Sequence, residues 1–215
     1  MTHIKLTTLL TLLFLACPAD SAPAVSREQA RQSLTDMDVQ VRREAATRLG
    51  EIGAMDDTPA LRQALRDDDA DTREHAEQSM WQIWERSGNQ QVDRLYQAGV
   101  LQMKDGDLRK AIATFTRIIE LKPGFAEGWN KRATLYFLDG EYRKSLADCA
   151  QVIKRNPHHF GALAGYGQIY LRLEDYARAL DYFRRALEVN PNMDSVKHNI
   201  LLLEQLIEQR RKDMV

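Results

Sequence analysis

The sequence predicts an all-α fold, a right-handed α-solenoid of stacked helix hairpins. Three observations carry that prediction. Prolines recur 34 residues apart at Pro123, Pro157 and Pro191, with small and large residues repeating in register before each. Within each of these units a turn sequence, KDGD, LDGE or RLED, divides two helical stretches. An earlier, looser repeat aligns Asp38–Gly53 with Asp69–Trp84 at an offset of 31. The composition fits a globular chain: 44% hydrophobic, 28% charged and a net charge of −1. That balance, with no basic run, gives no reason to expect nucleic acid.

Residues 1–24 read as a secretory signal peptide and not as part of the fold. Lys5 stands near the front, the apolar run Leu6–Ala16 follows, and small residues and prolines close the segment. As a helix that run spans about 16 Å, too short for a ~30 Å hydrocarbon core, so no membrane span is expected. Cleavage after Ala19, Ser21 or Ala24 would place the mature chain in a bacterial periplasm or outside the cell. Cys17, preceded by LFLA, also admits a lipid anchor. If Cys17 leaves with the leader, Cys149 is the only cysteine and no intramolecular disulfide can form.

Residues 25–90 form the next unit. They carry 9 Lys/Arg against 14 Asp/Glu, whereas residues 91–215 carry 20 against 16, an asymmetry that marks two units. In the repeat, Val41-Arg42, Ala45, Leu49 and Ile52 match Thr72-Arg73, Ala76, Met80 and Ile83. Thr58 is expected to cap a helix with Pro59 in its first turn. Trp81 and Trp84, three residues apart, stand where the earlier copy has Gly50 and Gly53, which suggests packing against the next module. The link RSGNQQ, Arg86–Gln91, is too short to be a flexible linker, so one continuous stack is expected.

Residues 92–125, 126–159 and 160–193 are the three long units. Small residues recur at Ala111, Ser145 and Ala179, and at Gly99, Ala133 and Gly167, while larger ones recur at Phe115, Cys149 and Phe183. Small positions let paired helices approach, and each unit buries its apolar face only by stacking on a neighbour. Residues 194–215 read as a capping helix ending in Arg210, Arg211 and Lys212, charges that suit the negative end of a helix.

These residues carry a resemblance. The 34-residue period and the pattern of Trp129, Ala133, Tyr136, Ala147 and Pro157 resemble three tetratricopeptide repeats. Residues 25–90 resemble HEAT-type repeats of the kind in phycobilin-lyase-like proteins. The tetratricopeptide resemblance implies a concave groove, lined by the first helix of each repeat, that binds a partner's peptide or helix. The implied groove residues are Tyr96, Val100 and Met103; Asn130, Lys131, Thr134 and Phe137; and Ala164, Gln168 and Leu171. Tyr96, Met103 and Phe137 also suit packing between helices. Co-chaperones of this family clamp a partner's C-terminal carboxylate at the positions of Tyr96, Val100, Lys131, Gly161 and Gly165. None keeps the clamp residue, so that recognition is not expected.

No constellation argues for an enzyme, and no metal or cofactor is expected. His158 and His159 lack the spacing of a metal-binding helix and read as solvated turn residues. Cys149 falls where the repeat holds a buried bulky residue. GALAGYG (Gly161–Gly167) lies within a helix and so is no phosphate loop, and DDDAD (Asp67–Asp71) reads as a helix cap more than a calcium site. The carboxylates are expected on solvent faces. The expected function is therefore an exported, non-catalytic adaptor or scaffold for an unidentified protein or peptide. Two alternatives stand beside it. One is a homo-oligomer joined through Ile200, Leu203 and Leu206. The other is a small-ligand or enzyme-accessory protein with a polar pocket beneath Asp67–Asp71.

Overall fold

The computed structural model describes residues 25–213, whose regular structure is eleven α-helices and one 3₁₀ turn. The leader and the Cys17 anchor fall on residues 1–24, outside the described residues. A first module holds α1 (Arg27–Ser33), α2 (Val39–Ile52), α3 (Thr58–Ala64) and α4 (Ala70–Trp84). Polar caps start its helices. Ser26 and Gln29 close a capping box on α1, while Asp38 and Asp69 accept amide hydrogens at the starts of α2 and α4.

The acidic run is thus spent on the fold. Asp69 caps α4 and pairs with Arg43, and Asp67 takes Arg42 in two bonds of 2.7 and 2.8 Å. Thr58, expected as a cap, is instead the first residue of α3 and donates to the Met55 carbonyl. Asp57 precedes it, fully buried, and holds Arg27 and Arg31 of α1.

Three helix hairpins follow: α5 (Gln90–Lys104) with α6 (Leu108–Leu121), α7 (Ala126–Leu138) with α8 (Tyr142–Arg155), and α9 (Phe160–Arg172) with α10 (Tyr176–Val189). Gly106 and Gly140 turn the first two in the left-handed region, at φ 75° each. The third turn puts Glu174 there, at φ 57°. A Cβ added at Gly99 would lie 2.8 Å from the Phe115 ring, and one at Gly167 2.4 Å from Phe183. Small and large residues therefore fit across each hairpin as their repetition implies. The helix α11 (Asp194–Asp213) lays Val196 and Leu203 on Ala179, Leu180 and Phe183. Leu203 is buried and Ile200 packs beside it, so two of the three residues expected to join copies are already used within the chain.

The modules do not stack in chain order. At Gly88, φ 71°, the chain turns sharply, and Lys122 donates to the Ser87 carbonyl. The first module then rests on the third hairpin instead of the first. Met80, Ile83 and Trp84 share one core with Phe160, Leu163, Ala186 and Val189. Polar bonds frame that contact: Asn192 donates to the Leu65 carbonyl at 2.8 Å, Asn190 to Glu77 at 2.9 Å, and Arg66 to the Glu188 and Val189 carbonyls. The two tryptophans do join modules, but they reach α9, more than seventy residues further on.

Candidate functional site

The first helices of the hairpins, α5, α7 and α9, are those expected to line a groove, and α7 and α9 border a recess. The end of α4 closes part of the groove. The Glu85 carboxylate accepts from the Tyr96 hydroxyl at 2.7 Å and from the Lys131 ammonium at 3.2 Å. The Trp81 ring covers Gly161, where an added Cβ would lie 2.5 Å from it. Tyr96, Lys131 and Gly161 are thus covered by residues at and just beyond the end of α4. Tyr96 is buried, its ring edge-on to Phe115 and Phe125, and burial pushes its phenol far up. Tyr96 thus packs between helices in the core of the first hairpin, the alternative its position allows, and Lys131, expected to meet a partner, is instead paired with Glu85.

Behind this seam lies a second correction. His159, read as a solvated turn residue, is fully buried. Its Nδ1 accepts the Ala162 N–H at 3.0 Å and so caps α9, while Nε2 bonds to Glu127, also fully buried. With Nδ1 an acceptor, the ring proton sits on Nε2 and faces the carboxylate. Trp84 stacks on the imidazole at 4.4 Å. Burial pushes the Glu127 carboxyl up, but His159, Lys131 and Asn130 outweigh it and hold the group below its ordinary value. Asp148 is likewise buried, gripped by Arg132 at 2.7 and 2.8 Å. These carboxylates are structural, not solvated.

The rest of the groove stays open. Asn130, Thr134 and Phe137 of α7 face Gly165 and Gln168 of α9 across a recess of about 140 Å³, floored by Ala133, Cys149 and Ile169. Asn130 donates to Glu127 at 3.0 Å, and Thr134 is exposed. Among the described residues the Gln168 amide has no side-chain partner. Val100 and Met103 are half-buried against the Tyr96 core, and Ala164 and Leu171 against the third hairpin, so these four lie outside the recess. Burial pushes the Cys149 thiol up to about 12, far from a thiolate nucleophile at neutral pH. A polar cleft of about 420 Å³ does lie beside Asp67, lined by Arg31, Arg42, Arg66, Asp36 and Asp68, but Arg42 already occupies the Asp67 carboxylate. Among the described residues no three candidate ligands gather for a metal, and no helix is long and apolar enough to cross a membrane.

Comparison with known proteins agrees with this architecture. The tetratricopeptide repeat family profile matches residues 96–151 and 133–194, and the HEAT repeat profile matches residues 19–81. The chain is a tetratricopeptide repeat protein with a HEAT-like segment ahead of the repeats. A TPR repeat-containing protein of Rhizobium etli is 30% identical over 128 residues, which cover 60% of this chain and 63% of that one. Among solved structures, the first TPR domain of Spaghetti (RPAP3) bound to an HSP90 peptide superposes with a TM-score of 0.54 at 22% identity. That match covers 55% of this chain and 94% of the other. The Sgt2 TPR domain of Aspergillus fumigatus gives 0.55 at 21%, covering 58% and 83%. These likenesses establish the fold.

Proposed function

We propose that this protein is an exported, non-catalytic adaptor that binds a segment of a partner protein in the open half of its concave groove. One observation carries the reading. Asn130, Thr134, Phe137 and Gln168 surround a recess that the chain itself leaves uncovered, while the other half is filled by α4. Amides and a hydroxyl beside an apolar floor suit main-chain hydrogen bonds with a side-chain anchor. A solved relative of the same fold holds a bound HSP90 peptide, which is consistent with the use of such a groove. Export rests on the signal-like order of residues 1–24.

The test is a crosslinking pull-down from the exported fraction, comparing the wild type with Asn130→Ala/Gln168→Ala at equal helicity. Capture by the wild type that the variant loses is the expected outcome. Equal capture by both would move the site elsewhere, and retention of the chain in the cytoplasm would remove the export part.

A further inference from the structure

We infer that the recess between α7 and α9 is a socket for one uncharged aliphatic side chain, carried by a stretch of partner chain that crosses the groove rather than ending in it. This deepens the groove reading and rests on it.

Two residue choices open the recess. The outer hairpins pair Gly99 with Phe115 and Gly167 with Phe183, whereas the middle one pairs Ala133 with Cys149. That exchange removes an aromatic ring and returns only a methyl group and a sulfur atom. The second choice is Gly165. An added Cβ at Gly99, Gly161 or Gly167 would lie within 2.8, 2.5 or 2.4 Å of a ring, so packing demands those glycines. At Gly165 it would meet only the Cys149 sulfur, at an ordinary 3.9 Å. Mid-helix glycine destabilises a helix relative to alanine, and here no neighbour requires it. What the missing side chain leaves is the mouth of the recess.

Size and lining name the guest. An engineered apolar cavity of about 150 Å³ takes a benzene-sized guest, so a recess of about 140 Å³ has room for one apolar side chain of no more than about that size. No charged residue lines it, and a charge entering it would lose water without gaining a partner. Asn130, Thr134 and Gln168 stand at the rim, where a crossing backbone presents its own donors and acceptors. A chain end is disfavoured there. Trp81 covers Gly161 at one side, and beyond it the Glu85 carboxylate already occupies Tyr96 and Lys131.

The test selects a displayed library of random peptides against the full chain, then measures synthetic copies by fluorescence anisotropy. Enriched peptides are expected to share one Val, Leu, Ile or Met, and alanine there should weaken binding about tenfold or more. Acid and amide forms of the C-terminus should bind alike. Gly165→Leu, and separately Ala133→Gly/Cys149→Phe, should fill the recess and weaken binding by a similar factor at unchanged helicity. Gly165→Ala, which fits the space, gives a smaller loss and serves if the larger changes disturb folding. Binding unchanged by these fillings but lost in Asn130→Ala/Gln168→Ala would overturn the socket and leave the groove reading standing. Enrichment of no peptide, or of peptides indifferent to every one of these variants, would overturn both.

Discussion

Replacing His159 with alanine should be among the most damaging single changes in this protein, although its sequence context suggests a surface turn. Three losses come together. The cap on α9 goes, at about 1 kcal/mol. The stack on Trp84 goes, at about 0.5–1.5 kcal/mol. Glu127, fully buried, loses its closest partner, and a buried charged group left short of a hydrogen bond costs about 1–3 kcal/mol or more. Asn130 remains at 3.0 Å and Lys131 at 4.0 Å to share that charge, and the three terms are not additive. A net loss of about 3–5 kcal/mol is therefore expected, measured by urea unfolding followed by circular dichroism at pH 7. Glu127→Ala/His159→Ala should lose less than the sum of its single changes, because no orphan charge is left. A His159→Ala loss within about 0.5 kcal/mol, the range of a surface substitution, would refute the buried pair.

Other outcomes follow from the same contacts. Trp84→Ala should cost about 3–5 kcal/mol and split calorimetric unfolding into two transitions, since Trp84 joins the first module to α9. Glu174→Gly should stabilise by about 0.5–1 kcal/mol, because the left-handed cost of about 1–2 kcal/mol exceeds the entropy penalty of glycine; a lower melting temperature would contradict the φ of 57°. Acid should weaken the fold. Asp57, Asp67 and Glu127 all sit below their ordinary values when folded, so the unfolded chain binds their protons more tightly. Their contribution is complete above the ordinary carboxylate range, near pH 4, and is lost as pH falls through the folded values. Urea midpoints should be flat from about pH 6 to 8 and fall below about pH 5; a midpoint that rises on acidification would reverse the sign.

How much of this the sequence shows depends on distance along the chain. The hairpins are legible because their determinants repeat: Gly99 and Phe115, Ala133 and Cys149, Gly167 and Phe183 are sixteen residues apart and define one packed layer each. Caps are equally local, as Asp38 and Asp69 demonstrate, although Thr58 yields to the 3₁₀ turn that places Asp57 before α3. The docking of the first module is not legible. It depends on Trp84 meeting Phe160, and on a turn at Gly88 that local residue preferences do not aim. Because Lys131 meets Glu85 and His159 meets Trp84 only through that contact, periodicity alone places them on a groove or a turn. Asn130, Thr134, Phe137 and Gln168 face the recess because α7, α8 and α9, consecutive along the chain, define it.

The open half of the groove is the proposed working surface. It is tested most directly by a photocrosslinking amino acid placed at Thr134, exposed beside the recess, and separately at Ala150, exposed on α8. After irradiation in the exported fraction, the account predicts a covalent partner polypeptide from position 134 alone. Adducts of equal yield from both positions, or from position 150 only, would contradict it.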